Sequence, residues 1–265
     1  MKFLSLAAAL ALSAALPAIL LADAPSPPDE ISPAETRPVR RAITPFNNGD
    51  RFEGDFQNFL QSGPGTYLFA SGDRYDGDFK AGRLEGRGIY TFVNGTRYVG
   101  DFRDNKYHGQ GTVLFPNGDS YVGQFREGRI NGFGLRVWAD GERYEGGFRD
   151  GSFEGYGRYY FAAGDRYEGE FSDNRRNGRG VYLFANGDRF EGRYRDDRRE
   201  GRGVYRFAGG GRFEGDFRGG EAVSGREEGG YWLTGQHEPS FRRPELENRD
   251  QRPGRIRLVS APTGK

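Results

Sequence analysis

The chain has no cysteine among its 265 residues, which excludes disulfides, thiolate metal ligands, a cysteine nucleophile and a lipid-modified cysteine. Its two histidines, His108 and His237, stand apart with no ligand spacing around either, so no metal site is expected. Hydrophobic residues make up 35% of the chain and mean hydropathy is -0.82, too little for a thick layered core. Charge of one sign is missing as well: 39 basic residues face 38 acidic ones, and between Gly49 and Gly220 the counts are 27 and 27. A neutral array lacks the basic groove that nucleic acid requires and the basic cluster that strengthens binding to anionic lipid. Lysine is nearly absent, limited to Lys2, Lys80, Lys106 and Lys265, an arginine preference that suggests a GC-rich bacterial genome.

What the chain has in quantity is glycine, 44 residues, together with 22 phenylalanines and 15 tyrosines. Each ring buries about 150 to 250 Å², so aromatics supply the core that aliphatic residues do not. They recur with a fixed period. Gly49, Gly72, Gly95, Gly118, Gly141, Gly164, Gly187 and Gly210 each open a 23-residue copy, and no insertion breaks the spacing as far as Phe217. Such self-similarity marks a stack of identical supersecondary units.

Numbering each copy from its opening glycine, position 4 is Tyr or Phe in all eight copies, position 8 is aromatic and position 6 is Gly, while positions 3, 5 and 7 are mostly charged. This alternation predicts a strand. Glycines at 15 and 17, followed by 19 (often Tyr) and an aromatic 21, predict a second strand, so each copy is a β-hairpin. Parity selects the connection between copies. A three-residue loop pairs 19 with 4, 17 with 6 and 15 with 8, sending aromatics and glycines to one face, whereas a two-residue loop mixes them with variable residues. The opening glycine is therefore expected in the left-handed conformation.

The pattern Y-E-G-x-F…G-x-G-x-Y-x-F at a 23-residue period resembles the MORN repeat, named for membrane occupation and recognition nexus. The likeness covers Gly49 to about Gly220, and Tyr107-His108-Gly109-Gln110-Gly111 follows the family's wording. The resemblance implies an all-β fold: a single elongated, twisted antiparallel sheet of tandem β-hairpins with flexible ends. It also implies an interaction or scaffolding module, in some members linked to lipid binding or self-association, with no single activity.

Four regions are expected. Residues 1–24 carry Lys2, an apolar run from Phe3 to Leu21 and Ala22-Asp23-Ala24, which reads as an export signal. The alternative is an uncleaved anchor in the inner membrane, since the run is about long enough to span a bilayer, although Pro17 disfavours a spanning helix. Six prolines make residues 25–48 a linker. Residues 49–230 form seven full repeats and a degenerate eighth, in which Ser224 and Arg226 occupy glycine positions. Residues 231–265 are a weakly basic tail, with Tyr231-Trp232-Leu233 expected to cap the last rung.

No constellation points to catalysis or a cofactor. Gly-x-Gly sequences such as Gly178-Arg179-Gly180 lack the following helix and third glycine of a phosphate loop. Glu168 and Glu170 belong to a repeated charge ladder rather than a glycosidase pair. Function is expected where the repeat lapses. On the charged face, copies 3 to 5 carry Val99, Val122, Phe133, Leu135, Val137, Tyr156 and Tyr160. Position 13, assigned to the longer loop, is Leu84, Tyr107, Ile130 and Phe153 in copies 2 to 5, and copies 6 and 7 place Arg175-Arg176 and Arg198-Arg199 there. An apolar patch amid charge marks an interaction site, with the arginine pairs positioned to orient an acidic partner. The expectation is a non-enzymatic scaffold, exported to the periplasm or cell envelope, that binds a protein or itself. Membrane lipid association and glycan binding are the alternatives.

Overall fold

The computed structural model describes residues 42–228; residues 1–24 with the expected export signal, most of the proline-rich stretch and the tail with Tyr231-Trp232-Leu233 lie outside them. The described residues form one open antiparallel sheet of 17 strands, with no helix among them. In chain order these are β1 (Ala42–Pro45), β2 (Arg51–Gln57), β3 (Leu60–Leu68), β4 (Arg74–Lys80), β5 (Arg83–Thr91), β6 (Arg97–Arg103), β7 (Lys106–Leu114), β8 (Ser120–Arg126) and β9 (Arg129–Val137). Then come β10 (Arg143–Arg149), β11 (Ser152–Tyr160), β12 (Arg166–Ser172), β13 (Arg175–Leu183), β14 (Arg189–Arg195), β15 (Arg198–Arg206), β16 (Arg212–Arg218) and β17 (Glu221–Glu228). Every strand pairs with its neighbours in sequence, so no connection crosses the sheet.

The register between copies follows the parity argument. Tyr159 pairs with Tyr167, Gly157 with Gly169 and Gly155 with Phe171, which are positions 19 with 4, 17 with 6 and 15 with 8. The connection is a three-residue loop: Gly164 N–H donates to the Phe161 carbonyl at 3.0 Å and Phe161 N–H to the Asp165 carbonyl at 3.0 Å. All eight opening glycines are left-handed, with φ between 85° and 94°. Gly141 isolates that demand, because a Cβ there would meet nothing within 4 Å. Gly141→Ala is therefore expected to cost about 1–2 kcal/mol through backbone conformation alone. Urea unfolding that matches the parent protein would contradict it.

Within each copy the structure departs from expectation. Positions 10 and 11 form a two-residue turn with both φ positive, as at Asp173 (47°) and Asn174 (68°), the geometry that matches strand twist. Position 13 thus belongs to a strand, not to a long loop, and lies opposite position 8: Leu84 pairs with Phe79, Tyr107 with Phe102, Ile130 with Phe125 and Phe153 with Phe148. A bulge at positions 14 to 16 then restores the 17-to-6 pairing.

One face carries the core. Each position-4 ring lies over the glycine pair at 6 and 17, where a Cβ on Gly169 would come closer than 3.0 Å to Tyr167 and to backbone, and one on Gly180 closer than 3.0 Å to the Tyr167 side chain. Where position 4 is tyrosine, its hydroxyl donates across the trough to the position-7 carbonyl: Tyr75 to Asp78 at 2.9 Å, Tyr98 to Asp101 at 2.8 Å, Tyr144 to Gly147 at 3.0 Å. The same ring meets two position-8 rings edge-on. Tyr144 contacts Phe148 at 5.2 Å in its own copy and Phe171 at 5.1 Å in the next. Rings folded over glycine let a single sheet make a continuous core.

Both ends extend the pattern. Strand β1 arises from the stretch assigned to the linker: Ala42 pairs with Gly54 and Thr44 with Phe52, so they stand at positions 17 and 19 of an incomplete copy ahead of the first. Its Pro45 sits on an edge strand, where proline is tolerated. At the other end β17 lacks one bulge residue, and Gly225 slides into the place opposite Gly215. The eighth copy therefore keeps its glycine trough despite Ser224 and Arg226.

Candidate partner-binding face

The two faces divide the expected site residues. Leu84, Tyr107, Ile130 and Phe153 are buried on the aromatic face. Phe153 stacks on Tyr144 with ring centroids 3.7 Å apart. As core residues they present no surface to a partner, which corrects the expectation for all four. The reason is the two-residue turn, which begins the second strand early enough to bring position 13 into register with position 8.

The arginine pairs split in the same way. Arg176 is buried at position 13 of copy 6, its guanidinium 5.4 Å from the Tyr194 ring centre and 3.1 Å from an Asp197 carboxylate oxygen. Arg199 fills that place in copy 7, between Phe190 and Phe217 at 5.4 Å each, and burial lowers its pKa. These guanidiniums are core cations held over ring faces, not handles for an acidic partner. Tyr194, buried beside them, has its hydroxyl pushed up to about 12 by burial, with both arginines opposing the rise. Arg175 and Arg198 do face solvent; Arg175 pairs with Asp196 at 3.2 Å, one of a row of exposed ion pairs linking successive turns.

Position 2 plays a structural part that composition did not reveal. In copies 1, 2, 5, 6 and 7 one carboxylate oxygen accepts the position-19 tyrosine hydroxyl, as in Tyr182 to Asp165 at 2.6 Å, and the other accepts a loop N–H, as in Ala185 to Asp165 at 2.8 Å. Successive loops are thereby tied together. At Asp50 and Asp188 burial works against the charge, but hydrogen bonds from Tyr67 and Tyr205, loop amides and asparagines hold both carboxyls below their ordinary range.

The opposite face is uncovered among the described residues. Its central row, built from positions 5 and 18, is apolar through the middle of the array: Ile89 pairs with Val99, Val99 with Thr112, Thr112 with Val122 and Val122 with Leu135. Phe133 and Tyr156 flank this row and are 53% and 59% exposed. Between their strands lies Gly147, where a Cβ would collide with the Glu154 carbonyl. In copies 3, 4 and 6 position 7 is Asp101, Gln124 or Glu170, each accepting the position-16 N–H at 3.0 Å. Copy 5 has no side chain there, and the Glu154 carbonyl of the bulge lies where a position-7 side chain would begin. The Tyr156 hydroxyl donates to Glu168 at 2.8 Å, and this bond, with Arg158 3.3 Å away, holds Glu168 below its ordinary range. Tyr160 is partly covered by Arg143, 4.0 Å above its ring.

A one-sheet stack of hairpins with a ring-over-glycine core and an uncovered opposite face defines a structural repeat array, whose available chemistry is surface contact. Among the described residues no group of three or more His, Cys, Asp or Glu is placed to hold a metal, and no helix is long and apolar enough to cross a membrane. The chain belongs to the MORN-repeat family: the family model, described as MORN repeat, matches seven consecutive stretches, 52–74, 75–97, 98–120, 121–143, 144–166, 167–189 and 190–212. Proteins of this family are generally non-catalytic scaffold modules used for interaction or membrane association. No curated protein matches the chain. Among solved structures it is similar to the SAS-4 (dCPAP) TCP domain of Drosophila melanogaster in complex with a proline rich motif of Ana2 (dSTIL), at 10% identity, covering 59% of this chain and 85% of that one, with TM-score 0.39. It is also similar to the TCP10 domain of Danio rerio CPAP, at 16% identity over 70% and 99% of the two chains, with TM-score 0.27.

Proposed function

We propose that the protein is a non-enzymatic scaffold, exported to the cell envelope, whose array docks a protein on the face opposite its aromatic core. The observation that carries this reading is the row from Ile89 to Leu135, apolar but for Thr112, with exposed Phe133 beside it and exposed Tyr156 two strands further on, on a face otherwise built from charge. Exposed patches of this kind, rimmed by polar residues, mark interaction sites, and large rings are favoured anchors. Charge neutrality of the array disfavours anionic lipid as the ligand. Export rests on residues 1–24 and is tested by the N-terminal mass and cell fraction of the mature protein.

The double change Phe133→Ser and Tyr156→Ser removes two exposed rings without touching the core. It is expected to leave the melting temperature within about 2 °C of the parent, since surface changes stay within about 0.5 kcal/mol. Crosslinking in cells followed by capture should then lose the partner band. A band of undiminished strength would sink this assignment of the docking face.

A further inference from the structure

A second ligand surface runs along the margin of the outer face next to the inter-copy loops, on the far side of the central row from Phe133 and Tyr156. We propose that this margin binds a linear acidic glycan in which a uronic acid alternates with a neutral sugar. The neutral sum of charge conceals a sorting by row. Position 3 is arginine in seven of the eight copies, from Arg51 to Arg212, with Ser120 the exception. Its cross-strand neighbours at position 20 are Leu68, Thr91, Leu114, Val137, Tyr160 and Leu183, followed by Arg206. No Asp or Glu stands in this row between Arg51 and Arg212.

Charge and uncharged surface therefore alternate strand by strand. Arg74 lies between Leu68 and Thr91, Arg97 between Thr91 and Leu114, and Arg166 between Tyr160 and Leu183. Leu68 and Leu114 are 37% and 44% exposed, open to the face of a sugar ring. Paired strands stand about 4.8 Å apart, so each copy advances the row by about 9.6 Å. Two linked pyranose rings have nearly that length. A glycan laid along the row sets each carboxylate over an arginine and each neutral ring over a position-20 side chain, and the match repeats from copy to copy.

The neighbouring row narrows the choice of ligand. Position 5 is Glu or Asp in six copies, and these acids orient the arginines. Arg74 grips Asp76 through Nε and Nη2 at 2.6 Å each, which leaves three of the five N–H donors of its guanidinium for a ligand. Arg189 reaches Glu191 at 3.0 Å and Arg166 reaches Glu168 at 3.8 Å. The arginines are more than partners for these acids, because copy 3 has Val99 at position 5 and still keeps Arg97. Arg143 and Arg166 converge on Tyr160, 4.0 and 5.9 Å from its ring centre. The acidic row can accept sugar hydroxyls, but it repels a denser polyanion. Duplex DNA carries one charge per about 1.7 Å of axis, so on this margin it would set several phosphates against the acids for each arginine it met.

Fluorescence anisotropy of a labelled hyaluronate decasaccharide, in which glucuronate alternates with an uncharged amino sugar, tests this on the purified full chain. The parent should bind at low salt, release the glycan as salt rises, and bind longer glycans more tightly. The variant R97Q/R143Q/R166Q should bind about tenfold more weakly. R103Q/R126Q/R149Q removes the same charge from the hairpin turns and should change affinity by less than about twofold, and both variants should keep the parent's circular dichroism. R97Q alone should weaken binding in the same direction by a smaller factor. No binding by the parent overturns the proposal, and equal weakening by the two triple variants reduces it to net charge and overturns the row. Tighter binding of polygalacturonate, charged on every sugar, or of a single-stranded oligonucleotide overturns the spacing match. F133S/Y156S should bind the glycan as the parent does, so a loss there would overturn the separate margin, while protein docking stands or falls by crosslinked capture alone.

Discussion

Replacing Phe171 by alanine is expected to lower stability by about 3–5 kcal/mol, the range for buried aromatic truncations. Phe171 meets Tyr144 and Tyr167 edge-on at 5.1 Å each and Phe153 at 5.9 Å, so one ring bridges two copies. Its loss opens a cavity that the glycine floor cannot fill, because no side chain stands beneath the rings to collapse into it. In a quasi-one-dimensional array each unit leans on its neighbours, so the damage should spread from the junction of copies 5 and 6. Hydrogen exchange should speed up across residues 144 to 194 and leave β2 to β5 near their parent rates. A melting temperature equal to the parent's would show that the core face has been misassigned.

The second large effect is alkaline unfolding. Burial raises the pKa of the hydroxyls of Tyr75, Tyr98, Tyr107, Tyr121, Tyr144, Tyr167 and Tyr182, and of Tyr194. A folded pKa above the unfolded value of about 10 means that the protonated phenol favours the fold. That contribution is complete below pH 10 and is lost as the pH climbs through the folded pKa. Above pH 10 each deeply buried tyrosine costs about 1.4 kcal/mol per pH unit, and with so many aligned in one core the array should collapse within about one unit. Phenolate absorbance and loss of the β-sheet dichroism should rise together in one steep transition. A gradual phenolate titration centred near pH 10 with dichroism intact would contradict the buried hydroxyl network.

Much of this architecture was legible before any coordinates. Period and parity predicted the hairpins, the 19-to-4, 17-to-6 and 15-to-8 pairings and the left-handed opening glycines, because a one-residue slip would have turned every ring outward. The place of position 13 was not legible. Between positions 8 and 15 the bulge interrupts alternation, so counting parity from Phe148 to Gly155 gives no sign that Phe153 faces Phe148. Charge misled in the same stretch: Arg176 reads as surface until the ring faces of Tyr167, Tyr182 and Tyr194 are seen around it. Strand β1 hides because Ala42 and Thr44 replace the usual glycine and tyrosine, although Phe46-Asn47-Asn48-Gly49 already carries the loop wording. The outer face was legible in part. Val99, Val122, Phe133, Leu135, Val137, Tyr156 and Tyr160 stood out by residue type, but only strand pairing joins Val99, Val122 and Leu135, through Ile89 and Thr112, into one row.

The two faces of the sheet therefore do different work, and among the described residues the core has no other layer to lean on. Aromatic rings over glycine hold the stack, while the opposite surface keeps a charged pattern whose central row turns apolar, but for Thr112, between β5 and β9. Thermal melting and crosslinked mass recorded on the same preparations of F171A, F133S/Y156S and the parent test that division most directly. The predicted result is a lowered melt for F171A, with the parent's melt but no crosslinked species for F133S/Y156S. A lowered melt in F133S/Y156S, or a crosslinked species that survives it, would contradict the account.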